Sequence, residues 1–328
     1  MKENIFIDNQ PLLLESGAII PSLEIAYCTY GKLNESQDNV IYVCHALTAN
    51  ADVADWWPNM VGEGLIFDTN RYFIVCANIL GSCYGTTGPT TLNPIDNHPY
   101  GDKFPLITIR DIVKSHQRLA AHLELKSIYL LCGGSLGGQQ AQEWAINSPT
   151  FIKHLFLIAT NAKHSAWGIA FNETQRMALD CGPQGLATAR AIAMLSYRNY
   201  TMYQSTQTDE EDKVEEFKAS SYQRYQGQKL VQRFDSNSYY TLSKAMDSHN
   251  VGRGRESIAE ALKGIRAKTL VIGISSDLLF PPNEQKFLAE KIPGANLEII
   301  DSGYGHDGFL IETKIISDFI NQYLFNKI

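Results

Sequence analysis

One serine stands between glycines in the run Cys132–Gly138, where the pattern Gly133-x-Ser135-x-Gly137 occurs. An apolar run precedes it, and the helix-compatible run QQAQEWA follows it. A tight strand-to-helix turn of this kind holds the serine at strained backbone angles, and flanking side chains larger than glycine would collide. The turn exposes the hydroxyl, and the N-terminus of the following helix presents N–H groups to negative charge. The motif therefore predicts that Ser135 is a nucleophile that forms a covalent acyl-enzyme.

The same run could instead be a plain glycine-rich turn or a phosphate-binding loop at a strand-to-helix junction. A Walker loop needs Gly-Lys followed by Ser or Thr, and a dinucleotide fingerprint needs G-x-G-x-x-G. The run Cys132–Gly138 matches neither pattern. The predicted strand before the serine and the predicted helix after it favour the nucleophile turn.

A serine hydroxyl is a weak nucleophile unless a histidine takes its proton and a carboxylate orients that histidine. In enzymes with this turn, the chain order is serine, acid, histidine. Asp277 and His306 fit that order, because each lies in a loop directly after an apolar run. Each also has a simpler explanation, since an aspartate before two prolines commonly starts a turn and a loop histidine is commonly solvated. Their joint order and position predict a catalytic triad of Ser135, His306 and Asp277.

Acyl transfer also needs two N–H donors for the negative oxygen of the tetrahedral intermediate. The residue after the nucleophile supplies one donor, which is Leu136 here, and a loop after an early strand supplies the other. We assign the second donor to the backbone of Leu47 in the run HALT, which follows the apolar run 40–44. The alternative is that HALT is an ordinary loop at a strand end.

Short apolar runs alternate with helical patterns in the first half of the chain and return near its end. Such runs are typical of buried parallel strands. An apolar stripe at helical spacing between 109 and 123 predicts a crossover helix. Two early runs, 11–17 and 23–30, are predicted to pair antiparallel at one edge of the sheet. The parallel strands are predicted at 40–44, 72–76, 127–131, 154–158, 269–273 and 296–300.

The strand pattern disappears between 161 and 255, where the sequence becomes helix-like and richer in Gln, Tyr and charge. We interpret this stretch as a helical lid inserted into a core formed by 1–160 and 256–328, which a helix over 312–324 closes. The predicted fold class is α/β, and specifically an α/β-hydrolase fold with a mostly parallel central sheet.

Composition excludes several other classes of function. The chain of 328 residues has a formal net charge of −7, so it lacks the broad positive field on which nucleic-acid binding depends. The first residues do not resemble a signal peptide and no apolar stretch is long enough to span a bilayer, which predicts a cytoplasmic protein without a membrane partner. The six cysteines form no CxxC pair and predict neither a metal site nor disulfides.

Taken together, these motifs resemble those of the homoserine O-acetyltransferases of methionine biosynthesis, which have the α/β-hydrolase fold. The resemblance extends over nearly the whole chain. Besides the glycine-flanked serine, it rests on the segments 45–48, 56–57, 68–73, 81–89, 104–111, 143–145, 170–173, 226–227, 233–235 and 305–307.

The resemblance implies a ping-pong transfer of an acetyl group from acetyl-CoA, as co-substrate, to homoserine, with no bound cofactor or metal. It also implies a homodimer joined through the lid. Three residues match those that hold the amino acid in this family, namely Arg190, Tyr197 and Asp307. Their chemistry fits, because arginine can bind a carboxylate through two parallel hydrogen bonds and aspartate can pair with an ammonium group. Without the resemblance, Arg190 would be interpreted as a surface charge on a helix.

One segment departs from the family pattern, since 179–184 replaces a longer stretch in the lid. This departure leaves two alternatives open within the family, a succinyl-CoA donor and an L-serine acceptor. A plain esterase or thioesterase would use the same triad, although the three amino-acid-binding residues argue against it. A non-catalytic binding protein of the same fold is the remaining alternative, but such proteins often lose triad residues and all three are present here.

Overall fold

A computed structural model of the chain describes residues 1–325. Eight strands form one central sheet in the order β1-β4-β8-β5-β9-β10-β11-β12, and two small sheets pair β2 with β3 and β6 with β7. The strands are β1 (Lys2–Asp8), β2 (Leu12–Leu13), β3 (Ile19–Ile20), β4 (Leu23–Tyr30), β5 (Val40–Cys44), β6 (Val61–Gly62), β7 (Phe67–Asp68), β8 (Phe73–Ala77), β9 (Ile128–Gly134), β10 (Ile152–Ile158), β11 (Lys268–Ile274) and β12 (Asn296–Ile300).

The central sheet is parallel from β8 to β12, and only β1 and β4 run antiparallel at one edge. The middle strand β5 is buried along its whole length, as expected for a parallel sheet that helices cover on both faces. Each predicted parallel strand is present with its ends shifted by three residues or fewer. The predicted α/β fold with a mostly parallel sheet is confirmed.

Helices connect these strands and extend the chain between β10 and β11. The crossover helix between β8 and β9 starts in a capping box, in which Thr108 accepts a hydrogen bond from the Asp111 N–H and Asp111 accepts one from the Thr108 N–H. The helices are α1 (Val53–Trp56), α2 (Ile109–His122), α3 (Leu136–Asn147), α4 (Ala166–Leu179), α5 (Gly185–Tyr197), α6 (Tyr200–Gln207), α7 (Lys218–Val231), α8 (Ser236–Asp247), α9 (Ile258–Lys263), α10 (Pro282–Lys291), α11 (Gly308–Ile311) and α12 (Thr313–Phe325).

The antiparallel edge of the sheet differs from the sequence-based expectation. The prediction that 11–17 pairs with 23–30 is wrong, because β4 pairs along its length with β1 and the 11–17 segment contributes to the small β2–β3 hairpin. The sequence pattern did not predict β1. Its apolar residues Ile5 and Ile7 are 63% and 59% exposed, so they do not form a buried face. An edge strand of this kind is held mainly by backbone hydrogen bonds, which leave little trace in side-chain pattern.

The segment 161–255 contains α4 to α8 and, in this described stretch, no strand of the sheet. It leaves and rejoins the core at one place, where Lys163 and Asn250 form an isolated antiparallel bridge. Two more backbone hydrogen bonds join the two ends of this segment, from the His164 N–H to the His249 carbonyl oxygen and from the Val251 N–H to the Ala162 carbonyl oxygen. The division of the chain into a core and a lid at these bounds stays a prediction.

Candidate active site

Ser135 lies between the end of β9 and the start of α3, with φ at +56° and ψ at −126°. A non-glycine residue rarely adopts a positive φ, and the surrounding structure must hold it there. Two flanking glycines allow the turn, since a Cβ on Gly133 would lie 2.2 Å from the Gly137 carbonyl oxygen and one on Gly137 would lie 2.0 Å from the Cys44 carbonyl oxygen. The predicted strand-to-helix turn is therefore the observed one.

Hydrogen bonds from the neighbouring strand β10 hold this strained residue in place. The Ser135 N–H donates to the Ile158 carbonyl oxygen at 2.9 Å. The Ser135 carbonyl oxygen accepts from the Thr160 hydroxyl at 2.8 Å. Both the N–H and the carbonyl oxygen of Ser135 are thus hydrogen-bonded, one to the last residue of β10 and the other to the loop that follows it.

The structure brings together the three residues predicted as a triad. The Nε2 atom of His306 lies 2.9 Å from the Ser135 hydroxyl, and its Nδ1 atom lies 2.7 Å from Asp277 Oδ2. All three side chains are buried. The other oxygen of Asp277 accepts two backbone hydrogen bonds of 2.8 Å, from Leu279 and Phe280. A proton can therefore pass from the serine hydroxyl to a histidine whose ring is held by a fully engaged carboxylate.

Aromatic rings enclose the His306 ring. Phe280 stacks on it with ring centroids 5.0 Å apart, while Phe309 and Tyr197 approach at 5.3 and 5.7 Å. Phe309 also packs against the turn itself, since a Cβ on Gly134 would lie 2.6 Å from its ring. The rings keep water from most of the imidazole and restrict its rotation.

The two predicted oxyanion donors are the N–H groups of Leu47 and Leu136. Leu136 is the first residue of α3, so its N–H has no acceptor within the helix. Within residues 1–325, no intramolecular hydrogen bond occupies either N–H group. Leu47 lines the same cavity as Ser135. Both groups are thus free to donate to an oxygen bound beside the serine.

A buried histidine shapes the loop that carries Leu47. The Nε2 atom of His45 accepts from the Ile79 N–H at 3.1 Å, and its Nδ1 donates to the Ala46 carbonyl oxygen at 2.8 Å. The His45 carbonyl oxygen in turn accepts from Gln140 on α3 at 3.1 Å. Burial lowers the pKa of His45 to about 4, so the ring is neutral and can accept the Ile79 hydrogen bond at neutral pH.

A cavity of about 450 Å³ opens above the serine, and the three predicted amino-acid-binding residues line it. The Arg190 guanidinium lies 5.4 Å from the centre of the Tyr197 ring and forms no ion pair with any residue in 1–325. A half-buried arginine without a carboxylate partner is a ready site for a ligand carboxylate. The lining comprises Ala46, Leu47, Thr48, Ala49, Asn50, Asp55, Trp56, Ser135, Arg190, Tyr197, Lys229, Arg233, His306, Asp307, Phe309 and Leu310.

Asp307 differs from this expectation in one respect, because it already has a cationic partner. Its Oδ2 atom lies 3.0 Å from the Nε atom of Arg198, a residue that the sequence analysis did not single out. Burial raises the pKa of the Asp307 carboxyl, while Arg198 and Arg190 oppose that rise. The only sequence signal for Arg198 was its position directly after Tyr197.

Sequence reasoning also missed a second arginine of the cavity, although Arg233 stood within a segment that supported the family resemblance. Its Nη1 atom donates to the Thr48 carbonyl oxygen at 2.5 Å and to the Tyr84 hydroxyl at 2.8 Å. Arg233 thereby fastens the helical segment to the loop that carries Leu47. A side chain that spans two distant segments cannot be recognised from local spacing.

The other buried histidines pack away from the cavity. His116 contacts the Tyr42 hydroxyl at 3.1 Å and Gln140 Oε1 at 2.9 Å, and burial lowers its pKa to about 4. Within the described 325 residues, no group of three or more His, Cys, Asp or Glu side chains is arranged to hold a metal ion. No helix in that part of the chain is both long and apolar enough to cross a membrane.

The sheet order and the serine turn define a class of protein. Residues 39–313 match the family model described as alpha/beta hydrolase fold, so the chain is an α/β hydrolase in fold. Among solved structures, an acetylester hydrolase from Corynebacterium glutamicum superposes with a TM-score of 0.87, over 98% of this chain and 95% of that one. At 23% sequence identity, this likeness concerns the fold alone.

Two more similar proteins have one name in common. The chain is 46% identical to the homoserine O-acetyltransferase of Cyclobacterium marinum, over 98% of this chain and 95% of that protein. The crystal structure of homoserine O-acetyltransferase from Staphylococcus aureus is 30% identical, with a TM-score of 0.85 over 100% of this chain and 97% of that one. The chain belongs to the homoserine O-acetyltransferase family.

Proposed function

We propose that this protein transfers an acetyl group from acetyl-CoA to the side-chain hydroxyl of L-homoserine. The observation that carries the proposal is the charge arrangement of one cavity, which Arg190, Asp307 and Ser135 all line. An unpaired guanidinium and a carboxylate fit the carboxylate and ammonium of an amino acid, which a plain esterase would not need. The shared family name of the relatives supports the same acceptor and acyl group.

In the first half of the proposed reaction, His306 takes the Ser135 proton as the serine oxygen attacks the thioester carbon. The N–H groups of Leu47 and Leu136 donate to the oxyanion of the tetrahedral intermediate. When the carbon–sulfur bond breaks, His306 returns its proton to the CoA sulfur, and the acetyl-serine remains. Asp277 keeps the histidine in the tautomer that can accept this proton, and it stabilises the imidazolium.

In the second half, homoserine binds with its carboxylate on Arg190, beside Tyr197, and its ammonium on Asp307. His306 now takes the proton of the homoserine hydroxyl as that oxygen attacks the acetyl carbon. The tetrahedral intermediate collapses, the bond to the Ser135 oxygen breaks, and His306 gives its proton back to the serine. The product is O-acetylhomoserine, and the enzyme returns to its starting state.

Transfer of the acetyl group to homoserine must be faster than hydrolysis of the acyl-enzyme. The helices of 161–255 cover the cavity, and residues from that segment, including Arg190 and Arg233, form part of its lining. An amino acid held in place presents its hydroxyl at a high effective concentration, whereas water has few productive positions. The cover therefore favours transfer over hydrolysis.

A matrix of substrates tests the proposal against its alternatives. We expect turnover to be fastest with acetyl-CoA and homoserine, slower when succinyl-CoA or L-serine replaces either one, and slowest without an acceptor. Intact-mass analysis after mixing with acetyl-CoA alone should show one acetyl group on the wild-type protein and none on the Ser135→Ala variant. Faster hydrolysis than transfer would indicate an esterase or thioesterase, and a preference for L-serine would overturn the acceptor.

We also propose a homodimer joined through the helical segment, in the cytoplasm where acyl-CoA is available. Support comes from large apolar side chains that this segment leaves exposed, namely Trp167, Met177, Leu195, Tyr200 and Tyr225. An apolar surface of this kind is typical of a protein interface. Light scattering after gel filtration should give the mass of a dimer, and Leu195→Asp should shift it toward the monomer. Cell fractionation tests the location.

A further inference from the structure

Arg198 contacts the carboxylate of Asp307, which we propose binds the ammonium group of the acceptor. It is the residue directly after α5, and its Nε atom lies 3.0 Å from Asp307 Oδ2. The two side chains are 25% and 14% exposed, so solvent screens this pair less than an ordinary surface pair. The contact joins the end of a helix in the 161–255 segment to the loop that carries His306.

Arg198 does not line the substrate cavity, although Asp307 does. It lines a separate cavity of about 250 Å³ together with Met202, Tyr203 and other residues of α6 and α7. The carboxylate therefore lines the cavity that contains Ser135, while its cation lines the other cavity. Arg198 Nε contacts Oδ2 as an ion pair without hydrogen-bond geometry. Within residues 1–325, Asp307 Oδ1 has no hydrogen-bond partner, which leaves this second oxygen available for a ligand.

The backbone near this ion pair is closely packed at Gly305. Gly305 has a φ of +66°, and a Cβ at this position would lie 2.7 Å from the Tyr197 carbonyl oxygen and 2.9 Å from the Arg198 carbonyl carbon. The end of α5 and the His306 loop are thus in direct contact. Arg198 and Asp307 are held at a fixed separation by the main chain as well as by their charges.

The ion pair also acts on the charge of the carboxylate. Burial favours the neutral form of Asp307, and the Arg198 guanidinium is the main group that opposes it, followed by Arg190. A neutral carboxyl would bind an ammonium group far more weakly than a carboxylate does. When a substrate carboxylate binds Arg190, Arg198 still lies against Asp307 Oδ2 at 3.0 Å.

We propose that Arg198 is a positioning residue for the acceptor, which holds the Asp307 carboxylate so that its second oxygen binds the amino acid's ammonium group. Arg198 acts through Asp307 and touches no substrate. Its contribution belongs to the second half of the reaction, so the formation of the acetyl-enzyme does not depend on it. This assignment rests on the proposed function, because it requires an acceptor that carries an ammonium group.

The test separates the two half-reactions in the full-length Arg198→Met and Arg198→Lys variants. The first half-reaction is followed as thiol release from acetyl-CoA in the burst phase, and the second as loss of the acetyl group from the acetyl-enzyme on mixing with homoserine. For R198M we expect kcat/KM for homoserine to fall about tenfold or more, with the burst rate unchanged. R198K should recover part of the loss, because it restores the charge without the guanidinium geometry.

Two further readouts distinguish positioning from general structural damage. With 4-hydroxybutyrate, which lacks the ammonium group, R198M should transfer acetyl groups as fast as the wild type. As the pH is lowered, the defect of R198M toward homoserine should grow, because the carboxyl without its cation takes up a proton at higher pH. Arg253→Met is the matched control, since Arg253 pairs with Glu15 at 2.7 Å outside the cavity, and it should leave both half-reactions unchanged.

Several results would overturn the assignment. It is wrong if R198M slows both half-reactions equally, or if it slows 4-hydroxybutyrate and homoserine by the same factor. If R198M does not fold, R198K alone decides, because an acceptor-specific loss is still expected from it and an unchanged kcat/KM for homoserine contradicts the proposal. A wild-type enzyme that acetylates no amino acid contradicts both this assignment and the proposed function, whereas a working wild type with a normal R198M contradicts the assignment alone.

Discussion

The three residues that we propose react, together with Asp307, come from the segments 1–160 and 256–328, whereas Arg190 and Tyr197 come from the helical segment 161–255. Ser135, Asp277 and His306 lie at strand ends of the core, where they hydrogen-bond to one another and to the backbone. Arg190, from the helical segment, lies against the face of Tyr197 and forms no ion pair with any residue in 1–325. The triad side chains therefore have hydrogen-bond partners without a ligand. Arg190 has no carboxylate partner within residues 1–325, so we propose that a ligand carboxylate pairs with it.

Under the proposed function, this difference predicts that reaction and acceptor recognition can be altered separately. Changes in the core should abolish turnover with every substrate. Changes in the helical segment should alter which acceptor binds while the acyl-enzyme still forms. The predictions below test that separation, starting from the largest expected effect.

Replacement of the serine should be the most damaging change. In Ser135→Ala, kcat should fall by roughly 10⁵-fold or more, because no covalent intermediate can form. Steady-state kinetics with acetyl-CoA and homoserine measure the loss, and thermal unfolding should remain close to that of the wild type. Ser221→Ala on the exposed side of α7 is the matched control. Residual activity within tenfold of the wild type would contradict the assignment of Ser135 as nucleophile.

Replacement of the acid should have the next largest effect. Asp277→Asn keeps the shape but presents an amide to His306 Nδ1, which favours the wrong tautomer, and kcat should fall by about 10⁴-fold. The same factor is expected for acetyl-CoA hydrolysis and for transfer to homoserine, because both use the histidine. A loss confined to one acceptor would break the proposed separation between the two regions.

Replacement of the unpaired arginine should affect recognition alone. Arg190→Met removes the partner of the acceptor carboxylate, so KM for homoserine should rise by roughly tenfold to a hundredfold. The burst of thiol release from acetyl-CoA should keep its rate and amplitude. Arg190→Lys should restore part of the affinity but not all of it, because it cannot form two parallel hydrogen bonds. An equal effect on the burst would place Arg190 in the reaction itself.

The pH dependence of stability should include a contribution from a buried histidine of the crossover helix. Burial lowers the pKa of His116 to about 4 from its ordinary 6.5, so between these values the unfolded chain binds more protons than the folded one. Stability should therefore fall as the pH drops from about 6.5 to 4, by at most about 3 kcal/mol for this histidine. Thermal unfolding at several pH values measures the slope, and His116→Gln should flatten it. The control is His98→Gln in an exposed loop. An unchanged slope in His116→Gln would show that other groups cause the acid loss.

The serine turn could be predicted from sequence because its physical requirements are local. Only glycine fits beside a strained residue at a tight strand-to-helix turn, so Gly133 and Gly137 mark the position in the sequence itself. The parallel strands were also predictable, since strands buried on both faces need continuous apolar runs. The edge strand β1 was not, because its exposed residues Ile5 and Ile7 show no pattern of a buried face.

Arg198 and Arg233, both in the helical segment 161–255, show where local sequence pattern stops being informative. Arg198 and Asp307 are more than a hundred positions apart, and the same is true of Arg233 and Thr48. Neither arginine occupies a position whose residue type is restricted by the local backbone, so nothing in the spacing distinguishes it from a solvated charge. Family resemblance pointed to Arg190, Tyr197 and Asp307, but not to the cation behind Asp307.

Residue order and local motifs were enough to predict the sheet and to single out Ser135, Asp277 and His306, which the structure brings within hydrogen-bond distance of one another. Their catalytic roles stay a proposal. Tertiary structure alone decided which charges share the cavity, which of them are already paired, and how the helices are fastened to the catalytic loops. Those properties depend on distances between segments far apart in the chain, and folding sets these distances through the packing of the whole core.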